Sequence, residues 1–135
     1  MDIVAALFVE AIDLRTAFEG GPTLIDLQGV HFSAAPPSPP PVTVAPHLVV
    51  LVRCAPGEPG DGVLEVIFRR DGTQVARNVQ PLQVEPGRFT YRLVRAEVDF
   101  ADYGTVDAHC RIGTGHETVV PYTLVPGRAP ATAPD

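Results

Sequence analysis

The chain has 135 residues, 45% of them apolar, which suffices for one buried core and excludes a fully disordered polymer. Proline (15) and glycine (12) make up a fifth of it, which excludes a helical bundle, because proline cannot donate within a helix and glycine costs about 1 kcal/mol there. All ten basic residues are arginine and the formal net charge is −6, which argues against nucleic acid as a partner, since phosphate neutralisation needs clustered positive charge.

The first segment, Ile3 to Ile12, is nearly continuous apolar sequence broken by Glu10. It lacks the basic start of a signal peptide, and no stretch reaches the ~20 apolar residues of a membrane helix. A cytoplasmic protein without membrane contact is therefore expected. Length alone permits a helix over residues 3–12; a strand buried on both faces fits equally and agrees with every later element. Gly20-Gly21-Pro22 marks a turn, and Thr23 to Phe32 is predicted as a second strand with a bulge at Gly29.

Residues 35–46 contain six prolines, Pro36, Pro37, Pro39, Pro40, Pro41 and Pro46. Such a stretch is expected to stay out of sheet pairing and to run as extended polyproline II. It serves either as a stiff crossover from one sheet to the other or as a peptide docking into an aromatic groove. The crossover is the simpler reading.

From His47 onward the period is two. Leu48, Val50, Val52 and Cys54 share one face, and Leu64, Val66 and Phe68 alternate with Glu65 and Arg69. Asp71-Gly72 between two such runs is a hairpin signal, because both residue types tolerate positive φ. After a turn at residues 83–87, Phe89, Tyr91 and Leu93 are expected on the core face, with Arg88, Thr90 and Arg92 facing outward. Val106, Ala108, Cys110 and Ile112 share a face of the next strand, and Gly113-Thr114-Gly115 turns the chain into a final strand, 116–125. The expected fold is all-β: an antiparallel β-sandwich of seven to eight strands over residues 1–125, with a flexible tail at 126–135.

Two resemblances bear on this fold. Asp102-Tyr103-Gly104-Thr105-Val106-Asp107-Ala108 partly resembles the run entering strand F of immunoglobulin-like domains, although Val106 and Ala108 stand where that run has its tyrosine and cysteine. Ala5 to Ala11, Leu24 to Val30, the Asp71-Gly72 hairpin, Pro86 to Phe89 and Asp102 to Gly104 together look like a family of small actinobacterial proteins of unknown function. That resemblance implies an immunoglobulin-like β-sandwich and no catalytic residue.

Candidate chemistry is sparse. His109 and Cys110 are adjacent, so in a strand they face opposite sides and cannot act as a pair. Cys54 and Cys110 permit one disulfide by count, yet two cysteines without an export signal do not make a secreted framework. His109, His116, His31 and His47 lack the spacing of a metal site, and Glu97 with Asp99 forms a same-face carboxylate pair without a deducible cleft. No catalytic, cofactor or metal residue is assigned. Arg53, Arg69, Arg88 and Arg92, with Arg70, are instead expected to form a basic stripe that docks an acidic partner or pairs across strands with Glu65 and Glu97. Val49 and Leu51 are expected on an apolar face opposite the core, where they suit partner contact or self-association. The expected function is a non-enzymatic accessory or scaffold module working through protein contacts. A small-ligand or carbohydrate-binding sandwich, with its site in loops 56–62 and 101–104, and a phage or particle component are the alternatives.

Overall fold

The computed structural model describes residues 1–127. The expected tail at 126–135 therefore lies almost wholly outside the described residues. The chain is all-β, with twelve strands: β1 (Asp2–Val9), β2 (Ala11–Thr16), β3 (Thr23–Gln28), β4 (Ser33–Ala34), β5 (Val42–Val44), β6 (His47–Arg53), β7 (Asp61–Arg70), β8 (Thr73–Gln83), β9 (Phe89–Arg95), β10 (Val98–Phe100), β11 (Gly104–Ile112) and β12 (Thr118–Leu124). None of the described residues is helical, and so no helix is long and apolar enough to cross a membrane.

Two main sheets form, in the orders β1-β6-β9 and β4-β12-β11-β7-β8. All neighbours are antiparallel except β12 and β4, which run parallel. Both sheets feed one core. Phe8, Leu48, Val50, Val52 and Val94 come from the three-stranded sheet, and Leu64, Val66, Phe68, Val106, Ala108, Cys110, Tyr122 and Leu124 from the five-stranded one. Every second residue of β6, β7 and β11 points into it, as alternation requires. Each fully buried Val, Leu or Phe contributes about 1.5–3 kcal/mol.

The start of the chain differs from the expected single strand. It bends at Glu10, and β2 and β3 form a separate hairpin. Its register aligns Ile12 with Leu27 and Leu14 with Ile25, making one face apolar, while the other carries Asp13, Asp26 and Arg15. The bend is held by the Glu10 amide donating to the carbonyls of Gln28 (2.9 Å) and Gly29 (3.2 Å). Gly29 has φ +65°, a left-handed conformation that favours glycine, and a Cβ there would lie 2.6 Å from the Glu10 side chain, which would have to move.

Residues 30–34 then bridge the two sheets. The His31 amide donates to the Phe8 carbonyl, and the Phe32 and Ala34 carbonyls accept from Thr123 and Val125. The proline-rich stretch carries the chain from β4 to β6, but it is not free of pairing. Val42–Val44 pairs antiparallel with Val98–Phe100, because the six prolines leave this short β-branched segment with its donors intact. At the opposite edge, side chains of β8 clasp β9. Asn78 donates to the Arg95 carbonyl (3.2 Å) and Gln80 to the Leu93 carbonyl (3.1 Å).

Two turns depend on glycine. Asp71 (φ 50°) and Gly72 (φ 81°) make the expected hairpin. Gly60 is needed for close approach. The Val84 amide donates to its carbonyl (2.7 Å), and a Cβ on Gly60 would sit 2.2 Å from the Val84 carbonyl oxygen. Gly60→Ala is therefore expected to lower stability by about 1–3 kcal/mol, because backbone must shift. Urea unfolding checks this; an unchanged midpoint would contradict the contact.

Candidate binding surface

The outer side of the three-stranded sheet is apolar. Its register aligns Leu7 with Val49 and Ala5 with Leu51 on one flank, and Leu93 with Val49 and Tyr91 with Leu51 on the other. Val9 and Val49 are buried, at 1% and 0% exposure, yet belong to no part of the main core. The β2–β3 hairpin covers this side with its apolar face, as a third layer. The cover is incomplete. Between hairpin and sheet runs a groove of about 530 Å³, walled by Leu14, Pro22 and Ile25 above and by Leu51, Phe89 and Tyr91 below, with Arg88 also in the lining. Phe89 is 69% exposed and Leu14 50%.

This layer explains a reversal in β9. Phe89, Tyr91 and Leu93 lie on the groove side, whereas Thr90 and Arg92 lie on the side of Val52 and Val50. Arg92 is accommodated because β9 is an edge strand. Its guanidinium reaches the rim and donates to the Tyr91 carbonyl (3.1 Å) and, more weakly, to that of Pro81 (3.5 Å). A strand with a covered outer side is apolar on both faces, so alternation alone does not tell which face meets the main core.

The expected arginine stripe is divided between the sheets. Arg53 and Arg88 lie at one end of the three-stranded sheet, Arg53 aligned with Phe89. Arg92 lies at the rim, and Arg69 and Arg70 belong to β7 in the other sheet. Arg70 is a clamp: it donates to the carbonyls of Asp102 (2.8 Å) and Tyr103 and lies over the Phe100 ring at 5.9 Å. Glu65 pairs with Arg77, not with a stripe arginine (2.6 Å). Val49 is fully buried and offers no free surface, while Leu51 lines the groove. Loop 101–104 is held by Arg70, and neither it nor loop 56–62 lines the groove.

The remaining reactive groups are dispersed. His31 packs edge-on against Tyr122 (5.7 Å) and contacts the Gly29 carbonyl through Nδ1 (2.7 Å). His47 meets the guanidinium of Arg95 (2.9 Å). His109, on the outer side of β11, binds Glu117, and that hydrogen bond holds the Glu117 carboxyl below its ordinary value. Cys54 and Cys110 are both buried and unbridged, and burial pushes the Cys110 thiol up to about 12. Among the described residues, no group of three His, Cys, Asp or Glu side chains could hold a metal ion. A comparison with protein-family models and with curated proteins finds no match.

Two outcomes follow from these environments. Because the thiolate is the reactive form, iodoacetamide at pH 8 is expected to leave Cys54 and Cys110 unmodified in the folded protein and to label both in denaturant; fast native labelling of Cys110 would contradict its burial. Glu117 is stabilised as the carboxylate only in the folded state. Its contribution is thus present above the ordinary glutamate range and is lost as pH falls through the lowered folded value. An NMR titration should show the Glu117 midpoint rising in His109→Gln; an unmoved midpoint would remove His109 as the cause.

Proposed function

We propose that the protein is a non-enzymatic accessory or scaffold module that acts through protein–protein contact, and that the groove between the β2–β3 hairpin and β9 is its contact surface. The observation that carries this reading is the solvent exposure of Phe89 at 69%, beside Leu14 at 50% and Ile25 at 36%, on both walls of one groove. Neighbouring exposed apolar side chains of this size mark interaction sites on soluble proteins, and an aromatic beside an arginine is the composition enriched at interfaces. Of the arginine and apolar residues expected to make contact, Arg88 and Leu51 meet here.

The architecture proposed with this function is an immunoglobulin-like β-sandwich. Support comes from the order of the strands. A β1-β6-β9 layer faces a β12-β11-β7-β8 layer, and the short β4 lies parallel to the last strand. Immunoglobulin-type sandwiches likewise divide a Greek key between two such layers. Membership of the small actinobacterial family, and a cytoplasmic location, belong to the same proposal.

Photo-crosslinking tests the reading. Benzoyl-phenylalanine placed at Phe89 in the native host is expected to trap a reproducible protein adduct, and Leu51→Asp in the same chain should abolish it. The same probe at Val79, equally apolar and 47% exposed on the other sheet, should trap none. Adducts at Val79 alone, or none at Phe89, would contradict the proposal.

A further inference from the structure

We infer that the groove binds its partner as an added β-strand: an extended segment of alternating apolar and polar residues, carrying an acidic side chain opposite Arg88, pairs with the first half of β9. This inference rests on the contact reading above and states its mode.

The lining includes the consecutive residues Gly87 to Tyr91. Phe89, Thr90 and Tyr91 are consecutive in β9, and successive side chains of a strand point to opposite faces, so Thr90 lines the groove through its backbone. The backbone edge itself therefore borders the groove. No strand pairs with this side of β9 among the described residues, since the sheet order ends there.

The pattern of side-chain contacts tells which backbone groups face that edge. Arg95 and Leu93 offer their carbonyls outward to Asn78 and Gln80 of β8. Antiparallel strands direct the polar groups of alternate residues to the same side, so Tyr91 and Phe89 also turn theirs outward. The second half of β9 is thus closed by β8, and Arg92 occupies the Tyr91 carbonyl (3.1 Å). The N–H and C=O of Phe89 and the N–H of Tyr91 are left for an incoming strand. Unpaired strand edges of this kind recruit extended peptides, with main-chain bonds giving affinity and alternate side-chain pockets giving specificity.

The groove supplies those pockets. Alternate side chains of a strand beside β9 fall on the side of Phe89 and Tyr91, between them and the apolar hairpin wall of Leu14 and Ile25. Charge selects the segment further. The Arg88 guanidinium is 73% exposed, and its ion pair to Glu85 is long at 3.9 Å. Such a pair is worth little, so Arg88 is available to an incoming carboxylate. Arg53, aligned with Phe89 and exposed, adds a second positive charge at the same end. A second copy of this chain is disfavoured as occupant by its net charge of −6.

The test uses a random peptide library displayed on phage and selected against the full-length protein. Enriched sequences should alternate apolar and polar residues and carry Asp or Glu. Synthetic copies should bind Arg88→Glu about tenfold more weakly, and replacing the peptide acid by lysine should restore binding to that variant. Methylating alternate peptide backbone nitrogens should weaken binding by about the same factor, which loss of apolar contact alone would not do. No enrichment, enrichment of proline-rich or helical peptides, or binding indifferent to Arg88→Glu or to N-methylation would overturn strand addition. A sedimenting dimer dissolved by Phe89→Asp would also overturn it, with a second copy as occupant. If strand addition fails while the Phe89 crosslink persists, the contact surface stands and only its mode is wrong.

Discussion

Strand β6 is buried on both faces where Val49 and Val50 stand side by side, and the rest of the structure follows from that. Leu48, Val50 and Val52 point into the core between the two sheets, while Val49, on the reverse side, is equally buried. A three-stranded sheet with two apolar faces cannot stand at a surface, because the second face would remain wet. The β2–β3 hairpin answers this by folding back at Glu10 and bringing Leu14 and Ile25 of its apolar face opposite Leu51 and Tyr91 of the sheet. The molecule is therefore three layers deep on one side and two elsewhere.

The groove is a consequence of that third layer. The hairpin stands opposite Leu51 of β6 but leaves the edge strand β9 only partly covered, with Phe89 69% exposed. The edge is then divided by β8. Asn78 and Gln80 seal the half ending at Arg95, and the half beginning at Phe89 keeps its aromatic ring toward solvent. Local covering and local exposure on one strand are what give the surface its polarity, with Arg88 at the open end.

Much of the core was legible in the sequence. Alternation placed Leu48, Val50, Val52, Leu64, Val66, Phe68 and Cys110 inside, and Asp71-Gly72 marked its hairpin, because these features depend on local geometry alone. The number of strands, twelve, exceeded the expected seven to eight, since the first apolar run is two elements joined at Glu10 and short separate strands form at Ser33–Ala34, Val42–Val44 and Val98–Phe100. The face of β9 was read the wrong way round. Phe89, Tyr91 and Leu93 are more apolar than Thr90 and Arg92, and nothing in the local pattern announces that a distant hairpin will cover the outer side. Leu14 and Ile25, the groove's other wall, escaped notice for the same reason: their role is set by where residues 11–28 fold back, a long-range event. A signal was available in Asp13, Arg15 and Asp26 alternating with Ile12, Leu14 and Ile25, which is the pattern of a half-buried hairpin.

The most direct test of the layered account is the stability of Val49→Ala set beside Val50→Ala, by urea unfolding at equilibrium. Both side chains are fully buried, on opposite faces of one strand. The account predicts that each substitution costs about 1.5–3 kcal/mol. A loss near zero for Val49→Ala, with a normal loss for Val50→Ala, would show the outer face of β6 to be open to water and would contradict the covering hairpin.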